Sequence, residues 1–164
     1  MRRTRSSDVF IDGASRGNPG PAGVGVVFMD LPAPGRQTGQ GQAGAHAQPM
    51  RQFSRYLGET TNNVAEYLAL IYALQEALRA GYARLAVKTD SELLVRQFNG
   101  QYRVRDPRLR LLHDLARHLA EGFVRCRIEH IPRAQNRLAD RLAAQAVRDH
   151  GEQRSAEAEF GCGL

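Results

Sequence analysis

Residues 8–30 read DVFIDGASRGNPGPAGVGVVFMD, and the reading of this stretch decides the fold. Its first five residues alternate and are partly β-branched or aromatic, and its last seven, VGVVFMD, form a second strand-like run. The ASRGNPGPAG between them is turn chemistry, rich in Gly, Pro, Asn and Ser. This pattern is a β-hairpin, with Asp12 at the end of its first strand, just before Gly13.

Downstream, residues 31–50 (LPAPGRQTGQGQAGAHAQPM) carry Gly, Pro, Gln and Ala without periodicity and read as an enlarged, mobile loop. A third strand is expected at Arg51–Leu57. From Asn63 to Ala80 the apolar residues Val64, Leu68, Ile71, Leu74 and Leu78 recur at helical spacing, and Gly81 supplies the stop. RLAVKT (84–89) is a fourth strand, leading through Asp90 and Ser91 into a short helix, ELLVRQFNG, that ends at Gly100. Pro107–Glu121 reads as a further helix, Phe123–Ile131 as a fifth strand and Asn136–Arg148 as the last helix. The order β-β-β-α-β-α-α-β-α predicts an α/β fold, a five-stranded mixed sheet with three antiparallel strands first and βα units later, flanked by helices. Residues 149–164 are small, polar and unpatterned. The expected unit is therefore a single domain over residues 1–148 with a C-terminal tail that is a short docked segment or disordered.

At 164 residues and 18.2 kDa the chain buries about two-thirds of its unfolded surface, and two large catalytic domains are excluded. A hydrophobic share of 42% and a charged share of 24% exclude a wholly disordered chain and a coiled coil. The net charge of +6 and a pI near 10.0 favour anionic partners, nucleic acid first. Lys88 is the only lysine, so 23 − 1 = 22 of the cations are arginines; guanidinium suits bidentate phosphate contacts, and codon usage explains the bias equally well. Cys126 and Cys162 are too few and too far apart for a zinc framework. MRRTRSSDVF is followed by no apolar run of signal-peptide type, and no stretch approaches the roughly 18 apolar residues of a membrane span. The expectation is a cytoplasmic protein with no membrane contact.

Four acids stand out, and each has a bland reading. Asp12 before Gly13 suits a turn hydrogen bond, and Asn63 with Glu66 has the spacing of a capping box. Asp90 suits a helix cap, and Asp140 the positive end of the last helix. Jointly they say more, because each lies at or near the end of a separate element whose strands are expected to be neighbours. Four converging carboxylates repel one another unless a cation neutralises them. Oxygen-only ligands select Mg²⁺ or Mn²⁺ over zinc. Two such ions about 3.5–4 Å apart serve in-line phosphodiester cleavage. A basic chain with an acidic metal centre points to a nuclease.

The runs DGASRGNPGPAGVG, TTNNVAEYLALIYAL, TDSELLVRQ and NRLADRLA, in this order, resemble those of the type 1 ribonuclease H family over about Asp8 to Val147. The resemblance implies a ribonuclease H-like fold, with the four metal-binding and catalytic acids at Asp12, Glu66, Asp90 and Asp140. It implies Mg²⁺-dependent endonucleolytic cleavage of the RNA strand in RNA–DNA hybrids, with two ions per site, Mn²⁺ able to substitute, and 5′-phosphate and 3′-hydroxyl ends. In that mechanism Asp12 bridges the ions, Glu66 and Asp90 lie towards the scissile phosphate, and Asp140 lies towards the nucleophile. A monomer is expected, and cleavage of double-stranded RNA stays open.

Recognition of a hybrid requires reading 2′-hydroxyls and backbone through the minor groove. Gly13 and Gly17 permit close approach to a sugar-phosphate chain, and Asn18, Asn62 and Asn63 offer amide groups, although Asn-Pro-Gly is also a turn in its own right. By resemblance, Asn18 and Thr61 hold a DNA phosphate and Asn62 and Asn63 contact the hybrid near the cut. Two departures from the family pattern stand out. Glu92 occupies a place where relatives often have Gln, and a carboxylate cannot donate to a base edge. The basic, Trp-rich protrusion of many relatives is absent; in its place NGQYRVRDPRLRLL is short, with Arg103 and Arg105 as candidate phosphate contacts against the alternative of a solvated face. Where the family often has a flexible His before the last helix, His130 falls too early and Arg133 stands nearer; Arg133 is the expected electrostatic substitute. A non-catalytic hybrid-binding module and a polynucleotidyl transferase of the same broad fold are the rival readings.

Overall fold

The computed structural model describes the backbone of residues 5–31 and 51–160 and the side chains of all of these except 154–160. The expected loop at 31–50, apart from Leu31, and Cys162 lie outside the described residues. Five strands, β1 (Ser6–Ser15), β2 (Gly20–Asp30), β3 (Arg51–Thr60), β4 (Arg84–Thr89) and β5 (Arg125–His130), form one sheet in the order β3-β2-β1-β4-β5. The β1–β2 and β2–β3 pairs are antiparallel, whereas β1–β4 and β4–β5 are parallel, so the sheet is mixed as its pattern predicts. Helices α1 (Asn62–Arg79), α2 (Glu92–Phe98), α3 (Pro107–Ala120) and α4 (Arg137–Phe160) flank it, with a single 3-10 turn at Arg133–Gln135 before α4.

Alternation along the strands explains the layering. Val9, Ile11, Val24, Val26 and Phe28 point to one face and join the main core with Tyr67, Leu70 and Leu74 of α1. On the opposite face Val27 packs with Ala139 and Leu142 of α4. That second interface is unusually close. A methyl on Gly25 would lie 2.1 Å from the Ala139 carbonyl oxygen, and one on Gly23 would lie 2.7 Å from that of Ala143. The glycines in VGVVFMD and just before it are thus what brings α4 onto β2.

Four element boundaries differ from the sequence expectation. β1 runs through the supposed turn to Ser15, pairing Asp12 with Gly25 and Ser15 with Ala22, so Asp12 sits within a strand and not at its end. The small residues Gly13, Ala14 and Ser15 stay extended because β2 continues the ladder beside them. β3 likewise extends to Thr60. The N-cap of α1 is Thr61, whose hydroxyl oxygen accepts from the Val64 amide at 3.3 Å; there is no Asn63–Glu66 capping box. Ser91, not Asp90, caps α2 by accepting from Leu94 at 3.4 Å.

The largest correction concerns the C-terminus. The expected tail from residue 149 is instead a continuation of α4 to Phe160. GEQRSAEAE lacks an apolar stripe but is rich in residues with high intrinsic helix propensity, and His150 stacks on Tyr56 of β3 with ring centroids 3.7 Å apart. No helix among the described residues is long and apolar enough to cross a membrane.

Candidate active site

The β1–β4 ladder stops at Phe10–Lys88, and beyond it the two strands diverge at the level of Asp12 and Asp90. Into this opening the sheet and α1 deliver three acids, Asp12, Glu66 and Asp90, each offering a carboxylate oxygen within 4.8 Å of the others. Gly13 makes the approach of Glu66 possible. A methyl at that position would lie 2.2 Å from the Ala65 carbonyl carbon and 2.4 Å from the Glu66 nitrogen, so only glycine lets the first turns of α1 rest on β1. The Gly13 amide then donates to Glu66 Oε2 at 3.2 Å. The sequence reading gave Gly13 to the substrate; in the fold its missing side chain accommodates α1.

Asp12 and Glu66 are both buried. Burial, followed by repulsion from Asp90 and Asp140, raises Asp12 to about 7, opposed by the positive charge of Arg133. Burial also holds Glu66 well above the usual carboxylate range, with Asp12 and Asp90 adding to the shift and the Gly13 amide opposing it. Protonation is the only relief available to such a cluster unless a cation enters. A donor set made only of carboxylate oxygens fits a hard divalent ion, so these three residues could hold one.

Asp140 is not a member of this close trio. It sits in the first turn of α4, half-exposed, with Oδ1 accepting from the Arg133 guanidinium at 3.3 Å, yet its charge still reaches Asp12. Arg133 is largely exposed on the 3-10 turn, and His130, exposed at the end of β5, forms no contact with the acids.

The other predicted residues fall into separate groups. Asn18, Thr61, Asn62 and Asn63 gather where the β1–β2 turn meets the start of α1, joined by the Asn62 amide donating to Asn18 Oδ1 at 3.1 Å. Thr61 accepts as a cap, which leaves its O–H available as a donor. Glu92 is occupied within α2, where Arg96 donates to its Oε1 at 2.8 Å. Arg103 and Arg105 are exposed between α2 and α3, and Arg103 alone of the two lines a cavity of about 390 Å³ together with Tyr102, Arg110, His113 and Arg117.

Sequence reasoning missed Asn136. It was read only as a helix start, but it is 1% exposed, and its Nδ2 donates to the Ile11 carbonyl at 2.8 Å and to Asp90 Oδ1 at 3.1 Å. An Asn at the start of a helix ordinarily reads as a cap, so no local signal marks the difference.

Residues 10–146 match the family described as reverse transcriptase-like. The chain is 38% identical over 148 residues to the bifunctional protein Rv2228c of Mycobacterium tuberculosis, covering 90% of this chain and 37% of that protein. Its solved N-terminal RNase H domain superposes with a TM-score of 0.78 at 37% identity, covering 92% of this chain and 99% of that one. Identity to ribonuclease HI of Halobacterium salinarum is 41% over 140 residues, covering 85% and 63% of the respective chains. The crystal structure of that organism's RNase H1 gives a TM-score of 0.76 at 38% identity, with 88% and 98% covered. LC11-RNase H1, isolated from compost, was solved in complex with an RNA/DNA hybrid and matches with a TM-score of 0.74 at 36% identity, again over 88% and 98%. The chain therefore spans 37% of the length of the mycobacterial protein and 63% of the halobacterial one. With strand order, acidic trio and these matches in agreement, the chain belongs to the reverse transcriptase-like family and has the ribonuclease H fold.

Proposed function

We propose that this protein is a ribonuclease H, an endonuclease that hydrolyses the RNA strand of RNA–DNA hybrids and leaves 5′-phosphate and 3′-hydroxyl ends. The observation that carries the reading is the packing of Asp12, Glu66 and Asp90 within 4.8 Å, two of them buried, in a fold shared with a hybrid-bound relative. Asp12, Glu66 and Asp90 would hold magnesium, or manganese in its place, with Asp140 completing a second site; bound there, the ions supply a water nucleophile and stabilise the leaving oxygen. The protein's own contribution is orientation and charge. Gly13 keeps Glu66 pointed at Asp12, and Arg133 lowers the tendency of Asp12 to take up a proton while holding Asp140 on the exposed side of the centre.

Substrate contacts are assigned to the rim. The Thr61 hydroxyl and the Asn18 amide hold a phosphate of the DNA strand, while Asn62 and Asn63, both exposed, meet the hybrid near the cut. Arg103 and Arg105 extend the positive surface beyond α2. Glu92, paired with Arg96 within α2 but with its side chain largely exposed, is assigned the RNA-side contact as an acceptor. The activity belongs to a monomeric unit of residues 1–148, to which the continuation of α4 adds its stack on Tyr56.

End-labelled RNA–DNA, RNA–RNA and DNA–single-ribonucleotide–DNA duplexes, digested side by side in Mg²⁺ and Mn²⁺, test the proposal. The expected result is cleavage of the hybrid's RNA strand, abolished by chelation and lowered more than ~100-fold by Asp12→Asn. Binding of the hybrid without metal-dependent cleavage would instead make the chain a non-catalytic module, and preferential cutting of DNA strands would make it a polynucleotidyl transferase.

A further inference from the structure

Asn136 lies in the cleft where β1 and β4 separate. It bridges the carbonyl of Ile11, the residue before Asp12, and the carboxylate of Asp90. Its own backbone carbonyl accepts from the Asp140 amide at 3.1 Å, so three of the four predicted acids are connected through one residue or its immediate neighbour.

The amide orientation follows from the partners. A carbonyl oxygen and an ionised carboxylate only accept, so the nitrogen end must face them. Reversal would set Oδ1 against two acceptors. Oδ1 meanwhile is buried and accepts from no partner among the described residues. An unsatisfied buried acceptor carries the full desolvation penalty of the group. At a helix start an Asn ordinarily accepts from the first-turn amides through that oxygen. Asn136 gives up this capping bond, and its side chain is turned towards the acids instead.

We infer that Asn136 is a positioning residue, which holds Asp90 at the fixed distance from Asp12 that a divalent ion needs and leaves the second oxygen of Asp90 for the ion. With Oδ1 held, Asp90 cannot rotate away when the centre is empty, and the Ile11 bond keeps the β1–β4 gap from widening. The inference rests on the proposed metal-dependent reading of the site, but its main test does not need catalysis.

The test is a double-mutant cycle on Mn²⁺ affinity, measured by calorimetry without nucleic acid for the wild type, Asn136→Ala, Asp90→Ala and the double variant. Asn136→Ala is expected to weaken Mn²⁺ binding about tenfold or more, as loss of such a supporting hydrogen bond does elsewhere. In the Asp90→Ala background the same change should have an effect below about twofold, because Ala leaves no acceptor for the Asn136 amide. In hybrid cleavage Asn136→Ala should lower kcat about tenfold or more at a KM within about twofold of the wild type. Additive effects in the cycle, or unchanged Mn²⁺ affinity in a folded Asn136→Ala, overturn the assignment.

If Asn136→Ala lacks a cooperative melt, the cycle is run with Asn136→Leu, which keeps the branched shape of the side chain but carries no charge and cannot donate. The side-chain amide resonance of Asn136 in the wild type and in Asp90→Ala gives an independent reading: movement is expected, and an unmoved resonance overturns the contact. If the wild type cuts no hybrid, the nuclease proposal fails while the affinity cycle still decides the role of Asn136.

Discussion

At the scale of single residues, the centre is organised around a conflict between burial and charge. Asp12 sits at about 7, above its ordinary range, because it is buried beside other acids, and Glu66 shifts in the same direction. A carboxylate whose folded-state value is raised stabilises the fold fully below its unfolded value near 4, and that contribution is lost as the pH rises through the folded value. For the metal-free protein, the Asp12 contribution therefore declines between about pH 4 and pH 7. Asp12→Asn should make the metal-free protein more stable than the wild type at pH 8, by roughly 1–3 kcal/mol, with the difference vanishing near pH 4. Adding Mg²⁺ should reverse the order, since the ion binds the intact site and not the variant. Thermal melts at the two pH values, with chelator and with Mg²⁺, check this; a wild type that is the more stable of the two at pH 8 in chelator would contradict the electrostatic account.

At the scale of elements, close approaches between backbones carry the site. Gly13→Ala is predicted to be out of proportion to its size, because the new methyl would meet the Ala65 and Glu66 backbone at 2.2–2.4 Å. Overpacking of this kind costs about 1–3 kcal/mol, which lowers Tm by about 2–4 °C for each kcal/mol in a chain of this length. Cleavage should fall by more than the change in Tm accounts for, because Glu66 is displaced with the first turns of α1; Gly151→Ala, in α4 with open space around its missing Cβ and no positive φ, is the control that leaves cleavage intact. The hairpin and the helices were legible because alternation and 3.6-residue spacing are local properties of the chain. The extent of β1 was not, since Gly-Ala-Ser reads as turn chemistry until its partner strand is in place. Nor was the choice of Thr61 over Asn63 as cap, because both are good capping residues and burial of Glu66 in the acidic centre decides between them. The continuation of α4 escaped for a similar reason, as its sequence has propensity without periodicity.

At the scale of the whole molecule, the +6 net charge hides a division into an acidic centre and an arginine-rich exterior. Hybrid affinity should fall with salt, and replacing Arg103 and Arg105 together by Ala should reduce the slope of log affinity against log salt by about 1–2, reflecting the lost phosphate contacts. Measuring affinity in Ca²⁺ across a salt series checks this; an unchanged slope removes both arginines from the interface. The four acids were legible because the family resemblance placed them, and Asp12, Glu66 and Asp90 converge as expected, whereas Asp140 stands apart with Arg133. The bond between Asn136 and Ile11 closes a span of 125 residues, and this separation bears on how the protein is made. During synthesis Asp12, Glu66 and Asp90 all leave the ribosome before Asn136 does. A nascent or prematurely terminated chain thus contains the acidic trio without the residue proposed to align it. On the proposed reading of the site, cleavage is therefore withheld until Asn136 has emerged, near the end of the sheet-and-helix unit.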